Sequence, residues 1–280
     1  MHAPAPCLMR PLLTAALVAA LAGCTTVAPT ATPVEASVVT KAVGYLPADA
    51  VPDSLALVPA PPAAGSAGFA LDEQVSREAR ALRGTPRFAQ AQRDAELGFP
   101  EGARQFSCAI GLDIDAQKTP ALYRLLERSR IDASAATRSA KHQYQRARPF
   151  MVNDEPTCTP DDEEDLRKNG SYPSGHTSIG WAWALILSEI APDRADAIQA
   201  RGRNYGESRL VCNVHWQSDI LEGRFMGAAA VARLHDNAAF NRDLLAARKE
   251  IAAARKAGAT VNRDCAAEET VLKTRPASAL

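Results

Sequence analysis

Residues 170–190 read Gly-Ser-Tyr-Pro-Ser-Gly-His-Thr-Ser-Ile-Gly-Trp-Ala-Trp-Ala-Leu-Ile-Leu-Ser-Glu-Ile. From Thr177 to Ile190 nearly every residue is apolar, including Trp181, Trp183, Leu185, Ile186 and Leu187. The run falls well short of the roughly 20 residues that span a bilayer, so it predicts a buried core helix. Outward from it the pattern stays helical. Residues 132–146 are dominated by Ala, Arg, Lys and Gln, all good helix formers. Thr85-Pro86 and Thr119-Pro120 each read as an N-cap followed by proline at the first helical position. Asp72 to Arg83 is helix-like and stops at Gly84; acidic residues 161–165 favour a short helix that Asn169-Gly170 ends. His215 to Asp236 and Ala238 to Lys256 read as long Ala-rich helices, and no segment alternates with period two. The expected class is all-α, a single-domain helical bundle.

The chain has 280 residues, 46% apolar and 23% charged, with 32 basic and 32 acidic side chains and a net charge of zero. That balance argues against nucleic acid as the main partner, which would favour a basic excess. Residues 1–24 read as export machinery: a short region ending in Arg10, the apolar run Leu12 to Leu21, then Leu21-Ala22-Gly23-Cys24. Those last four residues resemble a lipobox, which makes Cys24 the expected acylated residue and a lipid anchor the expected link to a membrane. Thr25, not Asp, follows the cysteine, which points to the outer membrane of a Gram-negative cell. Residues 25–50, rich in Thr, Ala, Pro and Val, read as a flexible tether, and Pro59 to Gly68 as a surface wrap or its extension. Cys108, Cys158, Cys212 and Cys265 remain, enough for two disulfides with three possible connectivities. Cys158 with Cys212 and Cys108 with Cys265 is the preferred one. No cysteine or histidine spacing suggests a metal.

Three segments carry chemistry. They are Lys141 to Pro149, Gly170 to Thr177, and Ser208-Arg209 with His215 and Asp219 downstream. A phosphate monoester is dianionic, so its transfer depends on positioning and electrostatics. Lys141, Arg148 and Arg209 supply cations, the two arginines with a fork that matches phosphate. Ser174 can donate a hydroxyl hydrogen bond, and Gly175 lets its backbone N–H approach an oxyanion at a helix N-terminus. His215 and Asp219, four apart, share a helical face, so the carboxylate can hold one imidazole nitrogen and leave the other as nucleophile. His176 is placed to protonate the leaving alkoxide and then to activate water, which predicts acidic operation. Singly these features are ordinary. Lys141 and Arg148, two helical turns apart, would make a solvated basic face, Ser-Gly-His a turn, and His215 with Asp219 a surface pair. His142 and His235 read as structural, Tyr144 and Trp216 as packing. A Pro-Ser-Gly-His match alone arises by chance on the order of once in a thousand chains of this length. The ordered conjunction with the other two patterns is what turns residues into a site.

At these residues the sequence resembles the bacterial class A non-specific acid phosphatases, within the type 2 phosphatidic acid phosphatase and vanadium haloperoxidase superfamily. The patterns Lys-x6-Arg-Pro, Pro-Ser-Gly-His and Ser-Arg-x5-His-x3-Asp are complete, and Gly170 to Thr177 is similar to the class A signature. The likeness extends through Ala136 to Lys141, Ile179-Gly180-Trp181 and His215 to Asp219. The resemblance implies an all-helical fold of that superfamily, hydrolysis of small phosphate monoesters through a phosphohistidine, no cofactor, no catalytic metal and inhibition by vanadate. It implies phosphate binding by Lys141, Arg148, Ser174, Gly175 and Arg209, with His176 as acid, His215 as nucleophile and Asp219 as its orienter. Some members also pass phosphate to alcohols.

The expected organisation is a lipoprotein-type signal over 1–24, a tether over 25–50, an acid phosphatase domain over 51–262 and a C-terminal tail over 263–280. The lipobox departs from the soluble periplasmic habit of that family, and Cys108 with Cys265 looks like an added staple for the tail. The expected location is periplasmic, on a lipid anchor; whether the chain forms a homo-oligomer is left open. The competing readings are a vanadium-dependent haloperoxidase, a lipid phosphatase and a non-catalytic, anion-binding envelope lipoprotein. The last has no use for two histidines and Asp219.

Overall fold

A computed structural model describes residues 42–280; the signal segment, Cys24 and most of the expected tether lie outside the described residues. Among the described residues the helices are α1 (Ser54–Leu57), α2 (Ala67–Arg80), α3 (Pro86–Ala95), α4 (Glu101–Arg104), α5 (Ser107–Ile110), α6 (Pro120–Ala135) and α7 (Arg138–Tyr144). They continue with α8 (Pro149–Asn153), α9 (Glu163–Arg167), α10 (Gly175–Ile190), α11 (Ala195–Val211), α12 (Gln217–Leu234), α13 (Ala238–Lys256) and α14 (Cys265–Leu272). No strand occurs among them, so the all-α expectation holds.

The apolar run from Thr177 to Ile190 lies in α10, the axis around which the described helices pack. Helices α6, α11 and α12 pack around it, with α13 against α6. Ile179, Trp183, Ile186 and Leu187 lie in one continuous core with Leu122, Leu125 and Leu126 of α6 and Phe240 of α13. Each such side chain contributes about 1.5–3 kcal/mol on leaving water. Trp183 is fully buried, and its indole N–H donates to the Leu126 carbonyl at 3.0 Å, so its one polar atom is satisfied. Small residues set how closely the helices approach. A Cβ at Gly227 of α12 would stand 2.5 Å from the Ser178 carbonyl oxygen, and one at Gly223 2.7 Å from that of Ser174. No helix among the described residues is long and apolar enough to cross a membrane.

Several local expectations are corrected. Residues 132–146 do not form one helix: α6 ends at Ala135, α7 begins at Arg138, and α7 stops at Tyr144 because Gln145 turns left-handed (φ 42°). Lys141 and Arg148 therefore do not share a helix; Arg148 is extended and caps α8. His215 lies before α12 rather than inside it. Thr85 caps α3 through Phe88 N–H, as expected. Thr119 makes no side-chain cap, because its hydroxyl is bonded to the backbone of Asp115. Helix α2 starts at Ala67, before the expected Asp72, since Ser66 caps it by accepting from Phe69 N–H. The chain is also docked before residue 51: the N–H groups of Tyr45 and Leu46 donate to the Asp132 carboxylate at 2.8 and 3.0 Å, and Arg128 lies over the Tyr45 ring.

The structure pairs Cys108 with Cys265 and Cys158 with Cys212, with Cα atoms 5.4 and 4.6 Å apart. The first bond fixes α14 to α5. Beyond it Arg275 donates to the fully buried carboxylate of Glu207 at 2.6 and 2.5 Å, so the segment after residue 263 lies on the body of the protein.

Candidate active site

The three segments singled out in the sequence are knitted together by their backbones. Ser171 N–H donates to the Arg146 carbonyl at 2.9 Å, joining the first to the second. Ser174 N–H donates to the Asp219 carbonyl at 2.9 Å, joining the second to the third. Gly170 permits the first junction, since a Cβ there would lie 2.7 Å from the Lys141 carbonyl oxygen. The loop carrying His215 is held as firmly. Asn213, left-handed at φ 61°, exchanges amide hydrogen bonds of 2.9 and 3.0 Å with Asn153, and Cys158 N–H donates to the Cys212 carbonyl.

This framework directs cations at one small volume. Arg148 donates through Nε to the Leu166 carbonyl and through Nη2 to Asn169 Oδ1, at 2.9 and 2.6 Å, which fixes its plane. Its Nη1 stands 3.2 Å from His215 Nε2. Lys141 Nζ donates to the carbonyls of Gly170 and Ser171, at 2.8 and 3.2 Å, leaving its third N–H uncommitted. Its Cε would lie 3.8 Å from a Cβ built on Gly175, so the ammonium stem runs beside the start of α10. Arg209 is 2% exposed, yet its Nε meets no protein acceptor and Nη1 meets only Cys212 Sγ at 3.7 Å. Burying a charge without partners is costly, so a guanidinium sunk this deep with its fork unfilled could be satisfied by an anion.

Ser174 caps α10 by accepting from Thr177 N–H at 3.3 Å, and its oxygen also accepts from the Thr177 hydroxyl at 2.9 Å. Both contacts use its oxygen, so the Ser174 hydroxyl hydrogen is free to donate. Gly175 is the first residue of α10 and His176 the second, so the unpaired N–H groups of a helix start face the same volume. Arg148, Arg209, Ser174 and His215 are buried, whereas Lys141, Gly175 and His176 keep partial solvent access. The cage therefore opens on their side.

His215 Nδ1–H donates to Asp219 Oδ2 at 3.2 Å, which leaves Nε2 with the lone pair that meets Arg148. The pair does not form through a shared helical face. Asp219, in the first turn of α12, folds back to accept from the capping residue, Trp216 N–H, at 2.8 Å, and reaches His215 from there. Burial, and then the charges of Arg148, Lys141, Arg209 and Arg146, push the His215 pKa well below the usual imidazole value, so the ring is neutral. His176 is lowered as well, by burial and by Arg209, while its Nε2–H donates to the Ala95 carbonyl at 2.8 Å. Burial and the neighbouring Arg148 bring Lys141 down to about 7.

All eight residues expected at the site thus belong to one cluster. Two further residues, Arg146 and Asp72, join the cluster without standing out in the sequence. Arg146 donates to Asp219 Oδ1 and to Asp72 Oδ2, both at 2.7 Å, with side chains 8%, 0% and 1% exposed respectively. A signal existed: Asp72 occupies the buried stripe of α2 with Val75, Ser76 and Ala79, where a carboxylate needs a partner. Tyr144 and Trp216 pack as expected; the Trp216 indole N–H donates to the Ala147 carbonyl. Two cavities lie away from this cluster, one of about 500 Å3 beside α14 and another of about 440 Å3 near residues 258–262. Among the described residues no group of His, Cys, Asp and Glu is arranged to hold a metal ion.

Residues 131–242, which span all three segments, match the model of the PAP2 superfamily. Across 213 residues the chain is 46% identical to a non-specific acid phosphatase of Providencia stuartii, covering 76% of this chain and 86% of that protein. The chain belongs to the PAP2 superfamily. An acid phosphatase of Zymomonas mobilis is 42% identical over 74% of this chain and 79% of that protein. A non-specific acid phosphatase of Salmonella typhimurium is 41% identical over 69% of this chain and 78% of that protein. This PAP2 member is an acid phosphatase, a phosphoric monoester hydrolase.

Proposed function

We propose that the protein hydrolyses small phosphate monoesters in two steps through a phosphohistidine on His215, without a metal. The observation that carries this reading is the buried Arg209 fork and the His215 lone pair directed into the same cluster of cations. In the first step Nε2 attacks phosphorus as the ester P–O bond breaks, and His176 gives its proton to the departing alkoxide. In the second, His176 takes a proton from water, the water oxygen bonds to phosphorus, and the N–P bond breaks. Arg148, Arg209, Lys141, Ser174 and the N–H of Gly175 hold the equatorial oxygens throughout. An alcohol in place of water would yield phosphotransfer. Vanadate, shaped like the transferring group, should inhibit.

His176 is neutral in the empty cage, yet the first step needs it protonated. A bound dianion offsets the neighbouring cations and raises its pKa, so substrate itself arms the acid, and does so more readily at acid pH. The test is hydrolysis of an aryl phosphate in the presence of chelator, for wild type and His215→Ala. Full activity in chelator is expected from the wild type, with a loss of at least about a thousandfold in the variant. Activity that vanishes with chelator removes the metal-free reading. Survival of His215→Ala removes the covalent one, and halide oxidation without phosphatase activity would replace both with haloperoxidase chemistry.

A further inference from the structure

Behind His215 the structure holds more than one carboxylate. Asp219 Oδ2 accepts from His215 Nδ1 and Trp216 N–H, while Oδ1 accepts from Arg146 Nη1 at 2.7 Å. Arg146 Nη2 donates in turn to Asp72 Oδ2 at 2.7 Å. Ser218 ties the far end: its N–H donates to Asp72 Oδ1 at 2.7 Å, its hydroxyl donates to Asp72 Oδ2 at 2.6 Å, and that hydroxyl accepts from Arg146 Nη1 at 2.7 Å. The guanidinium lies near the rings of Trp216 and Tyr172, at 5.5 and 6.0 Å, which keep water from its faces. Three elements supply the row: α2 gives Asp72, the extended segment after α7 gives Arg146, and α12 gives Asp219.

We propose that Asp72 and Arg146 are positioning residues that set how strongly Asp219 supports the charge on His215, and so divide the work between making and breaking the phosphohistidine. The proposal rests on the covalent reading above. Forming the N–P bond while Nδ1 keeps its hydrogen leaves a cationic phosphoimidazole, which a full carboxylate charge stabilises. Arg146 alone would cancel most of that charge. Asp72, on the other side of Arg146, restores it, and the alternating row ends on the imidazole with a net negative charge of one. The setting matters because the steps oppose each other. Stronger support speeds phosphorylation and slows hydrolysis of the intermediate; weaker support does the reverse.

The substitution Asp72→Asn leaves Arg146 unbalanced. With labelled aryl phosphate, rapid mixing and alkaline quench, the variant should show phosphorylation slowed about tenfold, hydrolysis of the intermediate unslowed or faster, and a lower steady fraction of phosphoenzyme. KM should change less than kcat, and the far-downfield proton resonance of His215 Nδ1–H should move. Ser218→Ala, which deletes only the hydroxyl shared by Asp72 and Arg146, should act in the same direction with smaller amplitude and serves if Asp72→Asn folds poorly. Both rates slowed equally, or a ratio of rates unchanged from wild type in both variants, would overturn the relay. Absence of any phosphoenzyme in the wild type would instead overturn the covalent reading, so the two failures are distinguishable.

Discussion

At Lys141 burial and charge pull against each other. In the proposed mechanism the ammonium binds an anion, yet desolvation and Arg148 bring its pKa to about 7, so above that pH the empty cage loses one cation. Sulfate, whose charge is constant in this range, should bind less tightly from about pH 7 upward. In Lys141→Arg, which stays charged, that decline should move to higher pH; calorimetric titration at several pH values checks both, and level affinity in the wild type would refute the assignment. The members of the cage were legible because each kind of chemistry demands a kind of side chain, and their ordered spacing made chance untenable. Arg146 was hidden in plain view between Lys141 and Arg148. Its role depends on which way the side chain turns after Gln145 breaks the helix, and spacing does not encode that.

At the scale of elements, α10 was readable from its length and apolarity, and Thr85-Pro86 from capping chemistry. The break at residues 136–137 was not, because Ala, Arg and Lys favour helix on both sides of it, and tertiary packing overrides so weak a preference. Nor was the close crossing of α10 and α12, which depends on missing side chains. Alanine at Gly227 would press a methyl onto the Ser178 carbonyl, and alanine at Gly223 onto the Ser174 carbonyl and the Thr177 side chain. Each should cost about 1–3 kcal/mol of stability in denaturant unfolding. Only Gly223→Ala should also raise KM severalfold, since Ser174 caps the helix start that faces the anion. Equal KM values for both variants would show that the crossing does not reach the site.

For the whole molecule the cage is a source of instability that its ligand relieves. His176 and His215 have folded pKa values well below 6.5, so as pH falls through that value the unfolded chain takes up protons that the folded chain refuses, and stability declines. Lys141 has the same sign over its own window, stability rising between about pH 7 and 10.5 as the unfolded chain gives up its extra proton. Without anion, the melting temperature should therefore be lower at pH 5 than at pH 7. An oxyanion at a hundred times its Kd should restore about 2.7 kcal/mol, with a larger gain in melting temperature at the acid end. Thermal scans with and without vanadate decide it, and an anion-free melting temperature higher at pH 5 than at pH 7 would contradict the account. One contact described above reaches further. Glu207, clasped by Arg275, immediately precedes Ser208 and Arg209 along α11, so the proposed pocket is braced by a hand that the polypeptide extends from nearly three score and ten residues downstream. A protease nick just ahead of Arg275, or a cargo fused so as to lift that hand away, would be felt where the phosphate sits; immobilisation of this catalyst is better made through its opposite terminus.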